Sequence, residues 1–115
     1  MMAMTLAEQG GVVQISLSGR MDLLGVEDIG APFTETIGTR GALVAVDLSQ
    51  VDFLASVGLR LLFANARTLQ EHGGKMALAG AQEAVKSVLD ASGVPQVIPH
   101  YPTLTAACDG LRNGA

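Results

Sequence analysis

Residues 43–74 read LVAVDLSQVDFLASVGLRLLFANARTLQEHGG, from Leu43 to Gly74, and their order decides the fold. The run Leu43-Val44-Ala45-Val46 is apolar and rich in β-branched side chains, the pattern of a strand buried on both faces. A polar corner, Asp47-Leu48-Ser49-Gln50, follows it, and then a second apolar patch at Val51, Phe53 and Leu54. Ala55-Ser56-Val57-Gly58 are small residues at the mouth of a helix. Within that helix Leu59, Leu62, Phe63, Ala66 and Leu69 recur at helical spacing until Gly73-Gly74 ends the pattern. A buried strand, a turn with one hydroxyl and an amphipathic helix make half of a βαβ unit.

Towards the N-terminus, Met4 to Glu8 reads as a short first strand with Gln9-Gly10-Gly11 as its turn. Val13, Ile15 and Leu17 alternate with Gln14, Ser16 and Ser18, as in a half-buried strand pairing with the first. Asp22 is placed to cap a helix whose Val26, Ile29, Phe33 and Ile37 share one face. Pro32 removes a backbone donor and is expected to kink or split that helix. Thr39-Arg40-Gly41 then leads into the central strand.

Towards the C-terminus, Lys75 to Ala79 reads as a strand and Gln82 to Ser92 as a helix burying Ala84, Val85, Val88 and Leu89. Gly93 caps its end, with Pro95 just beyond. Gln96-Val97-Ile98 is expected as a last strand, bounded by Pro99 to Pro102. Thr103 is placed to cap a final helix with Leu104, Ala107, Cys108 and Leu111 on its apolar face. Strands alternating with helices imply right-handed crossovers and a parallel sheet, to which the first two strands add an antiparallel pair. The expected fold class is α/β: one domain over residues 1–115, with a mixed, mostly parallel β-sheet and about four helices around it.

The composition excludes several classes. With 115 residues, 49% of them hydrophobic and 16% charged, the chain can bury a core and is not a disordered chain. No apolar run approaches the roughly 20 residues of a membrane span, and the start lacks the pattern of a secretory signal. The net charge is −4, the seven basic residues are scattered, and there are only one tyrosine and three phenylalanines. A nucleic-acid binder carries a basic stripe and often stacking aromatics, so no nucleic-acid partner is expected. The one cysteine, Cys108, fits a reducing cytoplasm and sits on an apolar helix face. Together with two distant histidines it makes no metal site, and no glycine pair has the lysine and spacing of a phosphate loop. Neither metal nor cofactor is expected.

Ser56 invites two readings. By position alone it is a helix cap, worth about 0.5–2 kcal/mol. It is also an exposed hydroxyl where a phosphate would be tolerated, because free N–H groups and the helix dipole favour an anion there. As a nucleophile it fails: the flanking residues are not G-x-S-x-G, and His72 lies about 24 Å along the helix. An enzyme is not expected.

The stretch Leu54-Ala55-Ser56-Val57-Gly58-Leu59 resembles the start of the second helix in STAS domains, the family of anti-sigma factor antagonists. Gly19-Arg20-Met21-Asp22 resembles the G-x-x-D turn of that family, and Lys75-Met76-Ala77-Leu78 and Ser92-Gly93-Val94 match its later landmarks. The resemblance implies that Ser56 is the phosphoacceptor, and it departs from the family pattern at Ala55, where an aspartate usually stands. It further implies a cytoplasmic module that binds an anti-sigma factor serine kinase, is phosphorylated at Ser56, and is reset by a PP2C-type phosphatase. Partner contacts are then expected at Met21, Asp22, Ala55, Val57, Gly58 and Arg60. Met21 has two readings, an exposed, adaptable contact beside Asp22 or the commoner buried methionine, and the contact reading takes the first. Arg60 lies off the buried stripe, and Arg67 and Glu71 form an i, i+4 pair further along. The alternative implied function is a cytoplasmic subunit of a lipid-trafficking ABC transporter, docking through the same surface. Nothing in the pattern demands more than a monomer, and no direct membrane insertion is expected.

Overall fold

The computed structural model describes residues 1–38 and 41–114; the expected connection at Thr39 and Arg40 lies outside the described residues, as does Ala115. Five strands, β1 (Met2–Gln9), β2 (Val12–Met21), β3 (Leu43–Leu54), β4 (Lys75–Ala79) and β5 (His100–Tyr101), form one sheet in sequence order. The pair β1–β2 is antiparallel, closed by Gly10 and Gly11, both with positive φ as so short a hairpin turn requires. The other pairings are parallel, joined through α1 (Leu23–Ile37), α2 (Ser56–Glu71) and α3 (Glu83–Ala91), while α4 (Leu104–Arg112) closes the chain. The fold is therefore the α/β class expected, a mixed and mostly parallel sheet with four helices.

Alternation along the strands builds two cores. On one face Val13, Ile15, Leu17, Val44, Val46, Met76 and Leu78 pack against Ile29, Phe33 and Ile37 of α1, Leu62 and Leu69 of α2, and Val85 and Leu89 of α3. The other face is a smaller cluster in which Ala45, Ala77 and Ala79 meet Ala107, Cys108 and Leu111 of α4. Alanines at three strand positions leave this face to a small cluster covered by the single helix α4. Thr103 caps α4, its hydroxyl accepting from Ala106 N at 3.1 Å.

Three expectations are corrected. First, α1 is not split at Pro32: the helix runs from Leu23 to Ile37 with Pro32 inside it. Asp28 and Pro32 both lie on the exposed side, so the carbonyl left without a donor meets solvent rather than the core. Second, residues 96–98 are not the last strand. Gly93, left-handed at φ 72°, and Pro95 set up a 3₁₀ turn over Val94–Gln96, and pairing with β4 begins only where Pro99 O accepts from Leu78 N at 2.9 Å. Third, Ala84 is exposed; α3 buries Val85 and Leu89 alone.

The junction of β5 with α3 carries a proton-sensitive contact. Nε2 of His100 accepts from Ala81 N at 3.1 Å, which requires that nitrogen to be unprotonated. Partial burial lowers the His100 pKa from its ordinary 6.5, helped by nearby Lys86 and opposed by Asp90. With the folded-state value lowered, the unfolded chain binds the extra proton, so the contribution is full above pH 6.5 and declines on acidification below it. Melting temperature is accordingly expected to fall between pH 7.5 and 5.5, and to fall less in His100→Gln. Equal slopes in the two proteins would remove His100 from the account.

Candidate functional site

The site forms where β2 and β3 end side by side. These strands run parallel and in register at Met21↔Leu54, so the residues that follow them, Asp22 and Ala55, emerge together at one edge of the sheet. A hydrogen bond from Ala55 N to Met21 O, 3.0 Å, joins the two exits. Gly58 lets α2 sit down on this junction. A Cβ there would lie 2.7 Å from Leu54 Cδ1 and 2.8 Å from Met21 Cγ, closer than side chains approach. The absent side chain is thus the condition for the helix to start over the strand ends.

Asp22 holds the first of the two turns. It caps α1 by accepting from Gly25 N at 2.9 Å through Oδ1, while Oδ2 accepts from Arg20 Nε at 3.3 Å. The Gly25 N–H, and after it the Arg20 guanidinium, hold the Asp22 carboxyl below the ordinary carboxylate range, so it is ionised at neutral pH. The Arg20 guanidinium also lies over the Phe53 ring, 4.1 Å from its centroid, a cation–π contact across paired strands.

Ser56 is not the cap of α2. The cap position is Ala55, whose methyl cannot accept, and no acidic residue stands in the first turn. Ser56 is the first helical residue, exposed, with its hydroxyl unpaired among the described residues. The start of α2 therefore has no side-chain oxygen to meet its free N–H groups, and the one hydroxyl beside them is available for chemistry.

The expected contact residues divide by burial. Asp22, Ala55 and Val57 are half-buried, Arg60 is exposed, and Gly58 is buried beneath the turn. The expectation of an exposed Met21 is corrected: it is 0% exposed, packed in the main core under Gly58. The reason is register, since Met21 pairs with Leu54 and shares its inward direction. Arg67 and Glu71 do pair, at 3.6 Å, on the solvent face of α2.

Sequence reasoning missed the apolar surroundings. Leu23 and Leu24 are 62% and 67% exposed on the first turn of α1, and Phe53 is 39% exposed at the end of β3. The leucines stand off the Val26, Ile29, Phe33, Ile37 stripe, which is a signal that could have found them. Phe53 gave none, because it turns outward where the β2–β3 pairing slips between Gly19 and Arg20 and leaves Asp52 as an extra residue on β3. These exposed apolar side chains follow Asp22 in sequence, at Leu23 and Leu24, or lie under the Arg20 guanidinium, at Phe53, and exposed apolar side chains beside charged ones suit recognition of another protein. No group of three or more His, Cys, Asp or Glu residues is placed to hold a metal among the described residues. Nor is any described helix long and apolar enough to cross a membrane.

Comparison with known proteins identifies the family of the fold. The model of the STAS domain family matches residues 3–107. The anti-sigma-F factor antagonist RsfB of Mycobacterium tuberculosis is 26% identical over 110 residues, covering 96% of this chain and 89% of that protein. An anti-sigma F factor antagonist of Paenibacillus polymyxa is 27% identical over 92 residues, 79% of each chain. Among solved structures, an anti-sigma factor antagonist from Mycobacterium paratuberculosis superposes with a TM-score of 0.87 at 26% identity, covering 97% of this chain and 95% of that one.

Proposed function

The chain belongs to the STAS domain family, and from that premise we propose that it is an anti-sigma factor antagonist worked as a phosphoswitch in the cytoplasm. Unmodified protein binds a kinase-type anti-sigma factor through the Asp22 turn, the Ala55–Gly58 turn and Arg60, with Leu23, Leu24 and Phe53 as apolar contacts. The bound regulator then releases its sigma factor. To reset the circuit, the kinase transfers the γ-phosphoryl group of ATP to Ser56 Oγ, the hydroxyl proton passes to a base on the kinase, and ADP leaves. A PP2C-type phosphatase later directs water onto the ester, returning the hydroxyl and inorganic phosphate. In this scheme the protein is ligand and substrate, and the catalytic groups belong to its partners.

The observation that supports the reading is the Ala55 N to Met21 O bond, which joins the turn leading to the exposed Ser56, unpaired among the described residues, to the turn that carries Asp22. The names of the relatives supply the class of partner. Ala55 shapes the details: with no carboxylate at that position, the Asp22 carboxylate on the joined turn is the acidic group proposed for a kinase to read.

Intact mass of protein purified from its host, with fragment mapping, tests the modification. A form heavier by about 80 Da, localised to Ser56 and lost in Ser56→Ala, is the expected result. Absence of that form under every growth condition, with Ser56→Asp still active in the cell, would overturn the phosphoswitch.

A further inference from the structure

Ser56 and Arg60 stand at i and i+4 on α2, and both are exposed. Residues at this spacing are neighbours on one helix face, about 5–6 Å apart at Cβ. Every other described arginine is engaged. Arg20 binds Asp22 at 3.3 Å and lies over Phe53, Arg67 binds Glu71 at 3.6 Å, and Arg112 binds Asp109 at 2.8 Å. Arg60 makes no hydrogen bond or ion pair among the described residues. The only carboxylate on α2 is Glu71, at the far end and already paired, so nothing on the helix competes for Arg60.

We propose that Arg60 is the internal partner of phosphorylated Ser56, so that phosphorylation withdraws this cation from the binding face while it adds negative charge. The proposal rests on the phosphoswitch reading above and says how the switch acts. A guanidinium offers a planar fork of donors that matches two phosphate oxygens, and the anion lies N-terminal to the cation, the favourable order on a helix. In the unmodified protein Arg60 is free to meet a carboxylate of the anti-sigma factor. In the modified protein that charge is already spent within the chain, so the partner meets an excess anion and loses a cation together.

The contact can be read without any kinase. Phosphoserine placed at position 56 of the full chain by stop-codon suppression gives the modified protein directly, and phosphorus NMR follows its titration. The second pKa of the phosphate is expected about half a unit or more below its ordinary value near 6. Arg60→Gln is expected to raise it by about that half unit relative to wild type, leaving the lowering that the helix N-terminus itself supplies, and Arg60→Lys to keep part of the Arg60 share. The same titration in wild-type and Arg60→Gln proteins would overturn the proposal. Circular dichroism of each variant verifies that the exposed substitution leaves the fold intact. The phosphoswitch reading fails by a different result, equal affinity of modified and unmodified protein for the anti-sigma factor, which leaves the titration unaffected.

Discussion

Gly25→Ala is expected to destabilise the protein by about 3 kcal/mol, lowering its melting temperature by roughly 10–15 °C. Gly25 is the third residue of α1 and is buried where the helix crosses β1 and β2. A Cβ there would overlap the carbonyl oxygen of Arg20 outright and come within 2.7 Å of Met2 Cγ. Methionine can move aside, but a backbone oxygen inside the sheet cannot. The helix must lift instead, taking with it the Gly25 N–H that holds Asp22. Helix propensity pulls the other way, since alanine is favoured over glycine by about 1 kcal/mol, but it is the smaller term. Gly30→Ala isolates that term: its Cβ would meet only Val26 Cγ1, at the ordinary distance of 3.8 Å. The second variant is expected to gain up to about 1 kcal/mol. Thermal melts of the two proteins check the sign of each, and equal effects would refute the close-approach account.

Phosphorylation at Ser56 is expected to weaken binding to the anti-sigma factor on the order of 100-fold, whereas Ser56→Ala binds like wild type. The difference follows from what each change does to a surface built without spare polarity. Alanine removes a hydroxyl that has no partner among the described residues. Phosphate adds about −1.5 to −2 charges to that surface, of which Arg60 can offset only one, and leaving the remainder unmatched when water is excluded costs roughly 2–5 kcal/mol. Calorimetric titration of the anti-sigma factor with the two proteins measures this. A change of less than about threefold on phosphorylation would show that Ser56 lies outside the interface, since 1.4 kcal/mol already corresponds to about tenfold.

Much of the architecture was legible because it is local and periodic. The alternation around Val13, Ile15 and Leu17, the helical recurrence from Leu59 to Leu69, and the caps at Asp22 and Thr103 all write themselves into short windows of sequence. The errors arose where a distant contact decides the outcome. Pro32 reads as a breaker, but its exposed position makes the missing bond tolerable, and exposure is a property of the packed helix. The last strand was misplaced because Val97 and Ile98 have strand composition, whereas Pro95 and the left-handed Gly93 divert the backbone first. At the site, Met21 and Phe53 exchange the roles that composition gives them. One slip in the β2–β3 pairing turns the aromatic out and keeps the thioether in, and no local pattern reports a register set between strands on either side of a helix.

Buried Asn65 is a smaller case of the same kind. It lies on the inward side of α2 at 4% exposure, where an apolar residue would be expected. Its amide donates to Thr34 Oγ1 at 3.3 Å and to Leu61 O at 3.0 Å, tying α2 to α1 by a side-chain bridge. Such a bond fixes the relative height of two helices that carry the two halves of the site.

The joining of Asp22 and Ser56 through paired strand ends also bears on when the surface comes into being. The two turns are separated in sequence by the whole of α1 and β3, and they meet only once β3 has docked alongside β2. Contacts of that separation form late, after the loop entropy between them has been overcome. A nascent chain that has not yet paired β3 with β2 can therefore expose the serine before the two turns are joined. A regulator of the proposed kind, docking on this junction, would bind only folded copies of the chain.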